Sequence, residues 1–370
     1  MSSCKHIGFV IDGLVPSFRK CFTHFSFSSL LYGWPGSSSI QTARFNPLIA
    51  HTYLQNCGLH YELFRPWRSY AAVVFLKSMN EDSFVLAGKC QRQKVLTLFD
   101  LNVDYLSPVS GTYYFKGMAP TVQQNEQARQ MAEVCDAVIA DSRWLAEVAQ
   151  QYTSKAIWIP DCIPDYYFRE TCSWSPKLNE PIPLLWSGEA VKLFELLLIE
   201  DVLRSFKNKI VLKIVTNSLE AIDRIFQPWQ RRIIRLLKDL QVEIIPFQDI
   251  HNLMSCYDQG GVFISPRFLD NTYNMGHTEW KITMPMARGR IVLCSPQPSY
   301  EDVGRLSGGR GIRICKTQDE WMKAFDEIMK KDFAWQEEQK SATQVVENDY
   351  SSSAVVKKHA DFVKNLLALS

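Results

Sequence analysis

Gly261–Val303 reads GVFISPRFLDNTYNMGHTEWKITMPMARGRIVLCSPQPSYEDV. Val262, Phe263 and Ile264 form a short apolar run closed by Ser265-Pro266, the pattern of a parallel strand covered on both faces. Arg267–Glu279 is a polar loop, Trp280–Ala287 carries a helical pattern that ends at Gly289, and Ile291–Cys294 is a second apolar run. The stretch is therefore a βαβ unit. In open parallel sheets ligands sit where loops leave the carboxyl ends of strands, which makes Arg267, Asp270, Asn271, Asn274, His277 and Thr278 binding candidates. A polar surface loop without a ligand is the plainer reading of the same residues.

Working outward, strand and helix patterns alternate on both sides of this unit. Upstream come strand Leu184–Trp186, helix Leu193–Phe206, strand Ile210–Val215, helix Leu219–Leu240, strand Val242–Pro246 and helix Ile250–Tyr257. Downstream are strand Ile312–Cys315, helix Gln318–Lys331 and a tail helix Ser353–Leu369. The amino-terminal half alternates too: strands His6–Asp12, His60–Phe64, Ala72–Leu76, Val95–Leu98, Ala137–Ala140 and Ala156–Ile159, with helices Thr42–Cys57, Asn80–Lys89, Val122–Glu133 and Arg143–Gln151. Phe25–Leu31 is a further strand candidate. Pro160–Pro183, rich in proline, breaks the rhythm as an interdomain linker does. The pattern predicts an α/β protein of two Rossmann-like, doubly wound parallel-sheet domains facing across a cleft. Residues 1–175 and 182–345 are the two expected domains, and 346–370 a helix that crosses back to the first.

The composition excludes several classes. With 370 residues the chain exceeds what one core usually holds. A net charge of +2 gives no basis for nucleic-acid binding. Its 10 cysteines show neither CxxC nor zinc-finger spacing, so a reduced, cytoplasmic setting is expected. No apolar run is long enough to span a membrane, and no signal peptide is visible. Arg231, Arg232 and Arg235 give one helix a basic face, which reads as a solvated surface before it reads as a peripheral lipid contact. No strand is followed by GxGxxG with an acidic residue about 20 further on, which disfavours a nicotinamide-dependent dehydrogenase.

Two further places carry chemistry. Gly36 and Ser37, in a Gly-Ser loop ahead of the helix at Thr42, would let backbone N–H groups approach an anion or a sugar; an ordinary turn reads the same way. Asp100 and Asp104 follow the strand Val95–Leu98 and are expected to face the cleft, with turn capping as the competing role.

The order of GWPGSSS, FDLNVD, VCDAVIADSRWL, IWIPDCIP, LLWSGEAVK and the opening stretch resembles the GT-B glycosyltransferases of the glycogen-synthase-like family four. VCDAVIADSRWL, Lys281-x-x-Met284-x-Met286-Ala287-x-Gly289 and VENDYS at Val346–Ser351 carry the likeness most specifically. The resemblance implies a nucleotide-diphosphate sugar held on the second domain, an acceptor on the first near Gly36 and Ser37, and transfer without a metal or other cofactor. It places Gly188, Lys192 and Lys281 beside the diphosphate, with Arg267, Asp270, Asn271, His277 and Thr278 completing the donor side. Asp100, then Asp104, is the expected proton acceptor for the attacking hydroxyl. The chain departs from the family at Gly276 and Met284, where paired glutamates are usual, and at Phe99, which replaces a histidine. A binding or scaffolding protein that has lost its chemistry is therefore the competing reading. Closure of the two halves over the donor by hinging near Pro160–Pro183 is expected, because water entering the cleft would hydrolyse the activated sugar.

Overall fold

The computed structural model describes residues 4–13, 15, 41–51, 58–168, 174–177 and 180–369. It contains two six-stranded parallel sheets. The first is built from β1 (Lys5–Ile11), β2 (Leu59–Leu63), β3 (Ala72–Leu76), β4 (Leu96–Leu101), β5 (Ala137–Ala140) and β6 (Ala156–Trp158), in the order β2-β1-β3-β4-β5-β6. The second comprises β7 (Ile182–Ser187), β8 (Ile210–Thr216), β9 (Val242–Pro246), β10 (Val262–Ser265), β11 (Ile291–Cys294) and β12 (Ile312–Ile314), in the order β12-β11-β10-β7-β8-β9. Read from β9, the second order is that of a dinucleotide-binding sheet, which reverses direction between β7 and β10. The first reverses between β1 and β3.

The inner strands are mainly apolar because both faces are covered, whereas the edge strands β2 and β9 carry charged and exposed residues. In β3, Ala72, Val74 and Leu76 enter one core while Val73 and Phe75 enter the other. In the second sheet, Leu184, Trp186, Val262 and Ile264 face one side and Leu185 and Phe263 the opposite side. The last helix, Ser352–Leu369, packs Val355, Val356, Ala360, Val363 and Leu366 onto the first sheet. Traffic also runs the other way. Tyr114, Phe115 and Met118, which follow β4, are buried in the second sheet's core.

Several elements differ from the sequence reading. β4 runs on to Leu101, because Asp100 pairs with Leu76 on one side and Ile139 on the other, so Asp100 lies within the strand rather than beyond it. The helix expected at Leu219–Leu240 is a 3₁₀ segment Leu219–Arg224 and an α-helix Trp229–Asp239, parted at Pro228, whose ring cannot continue a helix. Leu193–Phe206 is likewise a 3₁₀ segment, Ala190–Ile199, followed by α-helix Glu200–Ser205. Pro47 starts the helix Asn46–Ala50 after one π turn, Gln41–Phe45, while the remainder of Thr42–Cys57 past His51 is not described. Phe25–Leu31, Gly36 and Ser37 lie outside the described residues. Trp335–Tyr350 is a helix that the periodicity did not single out. Among the described residues no helix is long and apolar enough to cross a membrane.

Candidate active site

The switch point of the second sheet brings the carboxyl ends of β7 and β10 side by side, and the loops leaving them assemble the cationic centre of the molecule. Gly188 follows β7 with φ 153°, and a Cβ there would stand 3.1 Å from the Trp186 ring and 3.7 Å from Lys281 Nζ. Glycine therefore keeps the backbone within reach of that ammonium. Lys281 lies in the first turn of the helix Trp280–Ala287, with Nζ 4.7 Å from the Trp186 ring centroid and 4.0 Å from Glu195 Oε2. Arg267, just past β10, is held by Glu195 at 3.0 Å and by its own N–H donating to Ser295 Oγ at 2.8 Å. Lys192 lies over the Tyr273 ring at 5.4 Å, and that ring meets the His277 ring edge-on at 4.4 Å.

The electrostatics follow from this crowding. Burial pushes the His277 pKa well below the ordinary imidazole value, and Lys192, Arg267, Lys281 and Lys77 add to the shift. Burial, then Arg267, likewise depresses Lys281, with Glu195 opposing. Burial alone would lower Arg267 too, but Glu195 holds it raised. Four cations thus act on one imidazole, and the buried carboxylate of Glu195 pairs with two of them, Arg267 and Lys281. Trp186 Nε1, Arg267 Nε and Lys281 Nζ are buried donors without a hydrogen-bond acceptor, and His277 Nε2 beside them has no hydrogen-bond partner either. Buried donors are nearly always satisfied, so this centre has the composition of an anion receptor.

Lys77 comes from the first sheet. It follows β3, Asp12 follows β1, and each has φ 49°, a conformation non-glycine residues seldom adopt. The pair is 3.9 Å apart across the first switch point. Both switch points therefore open toward one another.

Other sequence-predicted residues are engaged elsewhere. Asp270 Oδ2 accepts from Tyr114 OH at 2.7 Å and its carbonyl from Thr112 N–H at 3.2 Å, while Asn271 caps the helix Thr272–Met275. These two residues join the halves at their seam. Thr278 sits between the halves, its hydroxyl bonded to Asp161. Asp104 Oδ1 accepts from the N–H groups of Leu106 and Ser107, the capping role, while Oδ2 is buried and free of hydrogen bonds. A Cβ on Gly276 would stand 2.4 Å from Asp104 Cβ, so this glycine is where the halves touch.

Asp100 requires correction. It is 1 % exposed and bound to Arg44, whose Nη2 is 2.9 Å from Oδ1. Arg44 Nε also lies 3.3 Å from Asp161, and Nη1 donates to the carbonyls of Ile159 and Pro160. Burial lifts Asp100 to about 6 despite this partner. Asp141 and Glu279, buried beside the same cluster, accept no hydrogen bond from another residue through either carboxylate oxygen, and burial lifts both well above the carboxylate range. Asp100 belongs to this seam of acids, and its carboxylate is committed to Arg44 rather than presented to an acceptor. Lys77, Glu195 and Tyr273 escaped the sequence reading; only Lys77, directly after an apolar run, carried a signal.

No protein-family profile matches the chain, and no curated protein sequence does. Its architecture has close parallels among solved structures. HepE from Anabaena, solved with UDP and glucose, superposes with TM-score 0.62 at 13% identity, over 98% of this chain and 99% of that one. A glycosyltransferase from Rickettsia africae gives 0.60 at 12% identity, covering 100% of both. Sucrose-phosphate synthase from Thermosynechococcus elongatus gives 0.59 at 17% identity, covering 81% of this chain and 75% of that one. The chain has the GT-B fold. In a GT-B molecule with these strand orders, the centre around Lys281 lies at the switch point of the second domain and faces the first across the cleft.

Proposed function

We propose that the protein transfers a sugar from a nucleotide-diphosphate donor, held at the β7/β10 switch point, to an acceptor held on the side of the first sheet. One observation carries the reading: Lys192, Arg267 and Lys281 converge around His277, and Arg267 Nε and Lys281 Nζ are buried donors without a hydrogen-bond acceptor. Breaking the bond between an anomeric carbon and a diphosphate builds negative charge on the departing oxygens, and preorganised cations in a water-poor site stabilise that charge most. Gly188 lets the β7 loop approach the same phosphates. The reading asks for no metal ion, since lysine and arginine supply the neutralisation, and the nucleotide sugar is the only co-substrate. HepE was solved with UDP-glucose, which makes a UDP-sugar the first donor to try. The proposed setting is the cytoplasm, where scattered cysteines stay reduced.

With Asp100 committed to Arg44, the attacking hydroxyl gives its proton to the departing phosphate or to Asp104, whose Oδ2 is unengaged. A second reading, a nucleotide-sugar-binding protein without chemistry, is favoured by a different observation. Met284 is buried and Gly276 abuts Asp104, so neither position offers a carboxylate to the donor. Incubation with a panel of UDP-, GDP- and ADP-sugars separates the two. Transfer predicts slow release of one nucleoside diphosphate; binding without release supports the second reading. Failure of every nucleoside diphosphate to bind removes both.

A further inference from the structure

At the far end of the first sheet the strands bring together a cluster unrelated to the cleft. β2 is the edge strand and pairs with β1 in parallel, His6 opposite His60 and Gly8 opposite Glu62. Parallel neighbours are about 4.8 Å apart and residues two apart share a face, so His6, His60 and Glu62 stand together on one side of the sheet. His6 Nδ1 is 3.3 Å from Glu62 Oε1, and the two imidazole rings are 5.1 Å apart at 69°. One ligating atom from each of the three lies within 4.8 Å of the others, the only such group of histidine, cysteine and carboxylate atoms among the described residues. Gly8, opposite Glu62, contributes no side chain. A Cβ there would meet the Tyr70 ring at 2.9 Å, so that ring closes the wall of the cluster.

We infer that His6, His60 and Glu62 bind a divalent transition-metal ion of the zinc type and clip the edge strand to its neighbour. Two atoms each about 2.0–2.1 Å from a tetrahedral zinc are separated by roughly 3.4 Å, close to the distance between His6 Nδ1 and Glu62 Oε1. Two imidazoles and a carboxylate suit zinc, cobalt or nickel rather than magnesium or calcium, and water completes the sphere. The outer contacts are in place. Arg68 Nη1 donates to both Glu62 oxygens, at 2.8 and 2.9 Å, and Arg65 Nε lies 3.9 Å from Oε2. Such partners orient a ligating carboxylate, but Arg68 also competes with the ion for Oε1. Binding at this site therefore requires Arg68 to withdraw toward Oε2.

That competition makes the inference testable. Zinc titrated into the full chain, followed by calorimetry, is expected to show one site, and added zinc to raise the thermal midpoint. His60→Ala, at an exposed position, is expected to weaken that site about tenfold or more while leaving the zinc-free midpoint unchanged. Arg68→Ala is expected to tighten it, and cobalt in place of zinc to give the visible absorption of a low-symmetry, four-coordinate ion. Equal zinc affinity in parent and His60→Ala, or unchanged affinity in Arg68→Ala, would overturn the assignment and mark any zinc uptake as adventitious. A nucleotide has no part in these measurements, so their outcome is independent of the reaction proposed for the cleft.

Discussion

Among the described residues Glu195, at 4.0 Å, is the ion-pair partner of buried Lys281, and burial followed by Arg267 depresses the lysine's pKa. A diphosphate arriving beside it reverses the balance, because a nearby anion favours the charged form. Nucleotide binding should then take up protons between the depressed pKa of Lys281 and the ordinary lysine range, with His277, depressed by burial and the same cations, adding to the uptake at lower pH. Calorimetric titration of UDP in HEPES and in Tris, which differ in ionisation enthalpy, measures this uptake directly. Lys281→Ala is expected to abolish its higher-pH part and to weaken UDP by about 10–100-fold, the worth of a charged hydrogen bond of about 1.5–3 kcal/mol. Unchanged affinity and uptake would displace the diphosphate from this place. Arg267 was legible from its place just past an apolar run and Lys192 and Lys281 from the family resemblance, whereas Lys77 was not singled out. The commitment of Asp100 was not legible. Its position at a strand end was plain, but Arg44 reaches it from a segment separated by two strands, and no local pattern announces that pairing. Arg44→Met should accordingly cost about 3–5 kcal/mol in urea unfolding, the price of stranding buried carboxylates.

At the scale of elements, the segment between β4 and the helix Val122–Val134 shows why a linker-centred reading is incomplete. Tyr114 stacks on Phe194 at 4.6 Å and on Phe268 at 4.8 Å, meets Trp229 edge-on, and donates to Asp270. An element of the first half is thus a structural part of the second. Its aromatic residues gave no periodic signal, because irregular backbone has no period to detect. The sequence reading ran one helix through Pro228 although the proline marks the break, and the 3₁₀ winding of Ala190–Ile199 leaves no mark in its largely apolar sequence. Tyr114→Ala is expected to cost about 3–5 kcal/mol, as for a large aromatic removed from a core. Tyr114→Phe should cost about 1 kcal/mol, since Asp270 is exposed and water can replace the hydroxyl. Equal losses in the two variants would mean that the hydrogen bond, not the stack, joins the halves. Gly276→Ala tests the neighbouring contact. Its backbone, at φ −88°, admits alanine, so a loss of about 1–3 kcal/mol in unfolding would come from the collision with Asp104 alone.

For the whole molecule, the acids at the seam set how stability depends on pH, and Glu279 isolates the effect. It is buried, and no other residue donates a hydrogen bond to either oxygen. Burial lifts its pKa most, its own backbone N–H opposes, Asp161 and Asp302 lift it further, and Arg44 opposes. Tyr350 and Lys358 feel its charge from the last two helices. A carboxyl raised in the folded state retains a proton that the unfolded chain has already released, so stability falls as pH rises from the ordinary carboxylate range through the folded pKa. Each unit of lift is worth about 1.4 kcal/mol. The parent profile mixes this with groups of opposite sign. His359, held neutral and pushed down to about 3 by burial, and His277 both lose stability as pH falls below the imidazole range. The difference between Glu279→Gln and the parent removes those shared contributions. Glutamine has no proton to lose, so the variant's thermal midpoint should exceed the parent's at pH 8 by a few degrees. That gap should narrow on acidification and close near pH 4, where the carboxyl is protonated in both states. A gap that is constant across the range would show that Glu279 is ionised no less readily in the folded chain than in the unfolded one. A gap of opposite sign would show that its charge holds the seam together.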